Sequence, residues 1–151
     1  MRFFFCVALC GMVSVIWAAD PVLGKWKLNV ERSKYLPGPA PKSQTRVYEA
    51  KADGIKVTIR TVAEDGEAVV VEHPLNYDGK EQPVIGSRQS DAIALQRIDE
   101  YTSESVMKHA DKVIGTNRRV VALDGKTMTI TYQGLDSTGR QVKVTAVYDR
   151  Q

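Results

Sequence analysis

The sequence predicts an all-β fold, an antiparallel up-and-down β-barrel of eight to ten strands, on three observations. The dipeptide Asp-Gly recurs as punctuation at Asp53-Gly54, Asp65-Gly66, Asp78-Gly79 and Asp124-Gly125. The first three copies are spaced by twelve and thirteen residues, close to the rhythm of short antiparallel strands, and the glycine supplies the positive φ that tight hairpin turns require. Between these turns apolar residues alternate with period two, and no window of ten or more residues keeps a 3.6-residue period. So many antiparallel strands in one short chain must deal with their edges, which closure into a barrel removes. A two-sheet β-sandwich uses the same pattern and is the alternative.

Taken in order, residues 1–19 read as a signal peptide: basic Arg2, an apolar run from Phe3 to Trp17, then small Ala18 and Ala19 before Asp20. The run is shorter than the roughly twenty residues needed to span a bilayer, which favours cleavage over a retained anchor. The expected mature domain is 20–151, periplasmic or secreted, with no stable membrane span after cleavage. Its first strand is expected at Gly24 to Val30, followed by a helical turn over Val30 to Tyr35 that Pro37, Pro39 and Pro41 end. The segment Glu31 to Lys42 is then a stiff strap across one end of the barrel. Further strands are expected at Ser43 to Ala50, Ile55 to Arg60, Glu67 to Tyr77, Lys80 to Ile85 and Ala92 to Ile98. The last four are expected at Glu104 to His109, Val113 to Leu123, Thr127 to Tyr132 and Arg140 to Arg150.

Composition narrows the chemistry. The leader holds both Cys (Cys6 and Cys10) and all three Phe, so the mature chain is free of thiols and of disulfides. Without Arg2 the 21 basic residues become 20, against 18 acidic ones with the signs interspersed, a weak balance that argues against a nucleic-acid footprint. The two histidines, His73 and His109, stand alone in strands with no metal-ligand spacing, so no metal and no cofactor is expected. Acid pairs Glu64-Asp65 and Asp99-Glu100 fall at turns, and no nucleophile motif or phosphate loop occurs, so no catalytic residues are assigned.

Gly24-Lys25-Trp26 opens the first strand soon after the expected cleavage point. Glycine lets the backbone turn sharply into a barrel floor, and an indole can plug the closed end. This resembles the Gly-x-Trp signature of the calycin superfamily, the lipocalins, fatty-acid-binding proteins and their bacterial relatives. The resemblance implies a basic residue packed across the Trp from the end of the last strand, and Arg150 is the positional match, with Arg118 and Arg119 in reserve. More loosely, Gly24 to Asn29, Ser33-Lys34 before Pro-Gly-Pro, and Arg118 to Val121 with Asp124 to Thr127 resemble a group of small exported lipocalin-like bacterial proteins. The Thr-Asp-x-x-Tyr loop, the cysteines and the helical lid of other calycins are absent, so no ligand class transfers.

Tyr132 shares a strand face with Met128 and Ile130, and Tyr148 shares one with Val144 and Ala146. Tyr132, Tyr148, Met128, Ile130 and Val144 are therefore the expected cavity wall, and Gly24, Trp26 and Arg150 the expected closed end. The expectation is an exported protein that holds a small apolar or amphipathic ligand in its barrel. A structural or interaction module with a filled barrel is the second reading, and a barrel enzyme doing proton-transfer chemistry the third.

Overall fold

The alternation of the sequence becomes ten antiparallel strands in a computed structural model that describes residues 19–151. The expected signal peptide, apart from Ala19, lies outside the described residues. The strands are β1 (Gly24–Leu36), β2 (Ser43–Lys51), β3 (Gly54–Val62), β4 (Ala68–Leu75), β5 (Asp78–Pro83), β6 (Ala92–Arg97), β7 (Thr102–His109), β8 (Lys112–Val121), β9 (Thr127–Leu135) and β10 (Gln141–Arg150). They form one sheet in the order β4-β3-β2-β1-β10-β9-β8-β7-β6-β5, in which every neighbour except the β1–β10 pair is joined by a short connection. The sheet curls into one nearly closed up-and-down barrel rather than a sandwich. No helix occurs among the described residues, and none is long and apolar enough to cross a membrane.

Edge strand β4 meets the chain just past the other edge, β5, through a single bridge, Glu72 with Ile85, whose two backbone hydrogen bonds measure 2.8 and 2.9 Å. Both edge strands carry a proline, Pro74 and Pro83, which costs least where no ladder partner is waiting for the missing N–H. Gly86 follows at the seam with φ +84°, and its α-carbon lies so close to the Val70 carbonyl that a side chain there would collide with it.

Two expectations are corrected. Val30 to Tyr35 is not a helical turn, because β1 continues through it to Leu36. Pairing with β10 runs from Asn29↔Val147 to Lys34↔Thr145, five steps on β1 against two on β10, so the extra residues bulge outward. Ser33 repairs the ladder: its hydroxyl donates to Asn29 O at 2.6 Å and accepts the Val147 N–H at 2.9 Å. The strap thereby shrinks to residues 37–42. Asp78-Gly79 is not a turn between strands either, since it begins β5 with an irregular register against β6, and the β4–β5 connection is Asn76-Tyr77.

The up-and-down order sorts the connections into two ends. One end collects the chain before β1, the β2–β3, β4–β5, β6–β7 and β8–β9 connections, and the C-terminus. The other collects residues 37–42 and the β3–β4, β5–β6, β7–β8 and β9–β10 connections. The first end is filled by a core that includes Val22, Trp26, Leu28, Val57, Met128 and Tyr148.

Candidate functional site

Trp26 is fully buried in the filled end, and its Nε1–H donates to Val22 O at 2.7 Å. Arg150 lies over the indole with its guanidinium carbon 4.1 Å from the ring centroid. That guanidinium also donates to Leu23 O and Pro21 O, each at 2.7 Å, and to Gly125 O, tying the entering chain and the β8–β9 turn to the last strand. Gly24 has φ +121°, and a Cβ there would stand 2.9 Å from Arg150 Nη1, so the arginine can lie down only because the side chain is missing. Gly24, Trp26 and Arg150 are thus in one assembly. Of the reserve arginines, Arg118 points outward to Glu104, while Arg119 is inside the barrel.

Above this plug the barrel holds an open-mouthed cavity of about 480 Å³. It is bordered on the opposite end by Glu67, the Ser87 to Ser90 loop and Ser137, and none of residues 37–42 lines it. Of the expected wall, Ile130, Tyr132, Val144 and Tyr148 line the cavity. Met128 is fully buried but packs into the plug core instead. The ring of Tyr132 covers Gly115 and Gly134, facing residues of β8 and β9, where any Cβ would strike it, and its hydroxyl donates to Leu135 O at 2.6 Å. A second hollow, of about 580 Å³, lies on the outer face of β6 to β10, where Gln96, Glu104, Arg118, Thr131 and Gln133 line it.

The wall is more polar than hydropathy implied. Arg46, His73 and Arg119 all line the cavity, with Ser103, Ser105 and Asn117 among its neutral groups. Alternation carries them there: Arg46 shares a face with inward Tyr48, His73 with Leu75, and Arg119 with Val121. Arg46 Nε donates to the Tyr148 hydroxyl at 3.0 Å and to Gln44 Oε1 at 3.2 Å, and the Tyr148 hydroxyl itself donates to Gln44 Oε1. Arg119 Nη2 donates to the Tyr77 hydroxyl at 2.5 Å, and its guanidinium faces the rings of Tyr48 and Tyr77 at 5.4 and 5.8 Å. The Tyr77 hydroxyl donates onward to Asp20 at 3.0 Å, and Asp20 is ion-paired with Arg97.

Burial sets the protonation states. His73 is pushed down to about 4, first by desolvation and further by the charges of Arg46 and Arg119, so it is neutral at pH 7. Its Nδ1–H donates to Pro74 O at 2.7 Å, which leaves Nε2 as an acceptor. Burial raises the Tyr148 hydroxyl and pushes Tyr77 up to about 12, so both stay neutral. The cavity therefore carries two guanidinium charges, a neutral imidazole and neutral phenols within apolar walls.

Among the described residues no three His, Cys, Asp or Glu side chains converge as a metal site would require. No protein-family model matches the chain, and no curated protein is significantly similar to it, so the assignment rests on the geometry of the barrel and its cavity.

Proposed function

We propose that the mature domain, 20–151, is an exported carrier that holds one small amphipathic molecule inside its barrel, in the periplasm or outside the cell, as the calycin resemblance and the leader of residues 1–19 suggest. The observation that supports it is the cavity of about 480 Å³ above the Trp26 plug, within the range typical of small-molecule sites. Its lining joins aliphatic side chains such as Ile59, Val71, Ile93 and Val144 to a few converging polar groups, the composition expected of a pocket that orients a ligand.

Thermal shift is the readout of choice, because Trp26 lies in the plug outside the cavity lining and need not sense a ligand by fluorescence. A screen of fatty acids, retinoids, sterols, quinones and haem should yield a class that raises the melting point. A ligand at 100 times its dissociation constant adds about 2.7 kcal/mol to folding stability. Native mass spectrometry of the protein from its host's envelope should show a bound small molecule and a chain starting near Ala19 or Asp20. A chain that shifts with no ligand and travels empty overturns the carrier reading, and an intact Met1 overturns export.

A further inference from the structure

We propose that Tyr132, lying in a recess made by the facing glycines Gly115 and Gly134, sets the width of the cavity near its mouth and so selects ligands by breadth. With the ring against the wall the barrel admits a ring-bearing molecule, and with the ring lifted it admits a single hydrocarbon chain. This rests on the carrier reading above and names the residue that determines which shapes the carrier accepts.

The recess is built from two strands. Gly115 of β8 pairs with Gly134 of β9, and Tyr132 stands two residues before Gly134 on the face that Met128 and Ile130 turn inward. Glycine in a strand interior has no side chain to pack and often marks a place where something approaches the backbone closely. Here the Tyr132 ring makes that approach. A Cβ on Gly115 would stand 2.5 Å from Tyr132 Cε2 and from its hydroxyl, and a Cβ on Gly134 would stand 2.7 Å from that hydroxyl. Neither glycine lines the cavity, whereas Tyr132 does, so the ring separates the glycines from the space it borders. Bulk added beneath the ring is therefore passed on to the cavity.

The ring is held down at its tip. Its hydroxyl donates to Leu135 O at 2.6 Å, at the mouth end of β9, and Gln89 Nε2 donates to the same oxygen at 2.7 Å. Gln89 belongs to the loop that borders the mouth, so one carbonyl fixes both the ring and the rim. Turning the ring off the wall breaks the bond to Leu135 and carries the whole aromatic group into a cavity of about 480 Å³.

The ring faces the barrel's far wall. In sheet order β9 and β4 are five strands apart in either direction around the barrel, so β4 stands across from Tyr132. Val69 and Val71 line the cavity there, Val69 near the mouth end of β4. The clear width between these valines and the Tyr132 ring is thus the dimension that the glycine pair controls.

The test uses two neutral probes in titration calorimetry, the broad N-phenyl-1-naphthylamine and the narrow dodecan-1-ol. Gly115→Ala should weaken the broad probe by about tenfold or more, a factor typical of overpacking a fitted site, while the narrow one stays within about twofold. Adding Tyr132→Ala to Gly115→Ala should return most of the lost affinity. The added Cβ also lies 2.7 Å from Gln133 O, but that contact is common to both variants, so the recovery isolates the ring. In the unaltered protein, nuclear Overhauser contacts should join the Tyr132 ring to the α-protons of Gly115 and Gly134 and persist when the broad probe binds, with new contacts from the probe to the ring. Loss of the glycine contacts on binding, equal weakening of both probes, or no recovery in the double variant would overturn the width selector and leave the carrier reading standing. Binding of neither probe would overturn it as well, and an empty ligand screen besides would overturn both. The contacts in the unaltered protein decide the question even where a variant fails to fold.

Discussion

At the scale of single residues, the plug and the cavity respond to different perturbations. Trp26→Ala removes a fully buried indole along with its bond to Val22 and the surface on which Arg150 rests, so it should cost about 3 to 5 kcal/mol in urea unfolding. A cost below about 1 kcal/mol would mean that the indole is not packed as a plug. His73 gives the cavity a pH signature. A base whose pKa falls from 6.5 to about 4 on folding favours the folded state above pH 6.5 and loses that contribution as pH falls through 4. The span corresponds to roughly 3 kcal/mol, and His73→Gln should flatten the melting point over that pH window. The plug was anticipated through a resemblance carried by Gly24-Lys25-Trp26, which also pointed to Arg150, because three residues are too short a signal to place an indole by themselves. The cationic cavity was not, because charged residues in an alternating strand are assigned to solvent by hydropathy. The parity of Arg46 with Tyr48, and of His73 with Val71 and Leu75, was the signal that would have turned them inward.

Among the elements, the turns were read more accurately than the strand ends. Gly66 and Gly125 take positive φ within the connections where Asp-Gly predicted hairpins, and Gly54 does so where the β2–β3 turn enters β3. Gly79 takes positive φ as well but spends it on the start of β5, because aspartate-glycine specifies a backbone angle and not the element that uses it. Val30 to Tyr35 misled for a related reason: Asn29 and Ser33 are residues that bond to nearby backbone, and in β1 they stabilise a bulge instead of a helical turn. The β7–β8 hairpin takes left-handed backbone without glycine. Ala110 and Asp111 both have positive φ, at 48° and 63°, in the two-residue β7–β8 turn. Asn-Gly fits that geometry better, so Ala110→Asn with Asp111→Gly should raise unfolding free energy by about 1 kcal/mol. A denaturant midpoint unchanged or lowered by the pair would show that the turn is not strained.

For the whole molecule, the β4–β5 seam is the place where closure is least complete. Two backbone bonds join Glu72 to Ile85, and beside them Val70 stands half-exposed on the edge. Amides on the seam side of β4 should therefore exchange with solvent before those of β9, which is paired on both sides. Uniform protection around the barrel would show the seam to be as tight as the ladders. The β1–β10 ladder has a different consequence, one of assembly rate. Every other ladder joins strands adjacent in the chain, whereas Trp26 meets Arg150 from the far end of it, so this ladder carries the loop-closure entropy of the fold. Linking Gln151 to Asp20 and reopening the chain between Asn76 and Tyr77 would place the strands in sequence as they stand in the sheet, from β5 through β10 and β1 to β4. Such a circular permutant turns the longest-range pairing into a hairpin while its new ends fall at the existing seam. By the contact-order relation it should refold faster than the natural order in stopped-flow dilution from urea, with the native barrel as its end state.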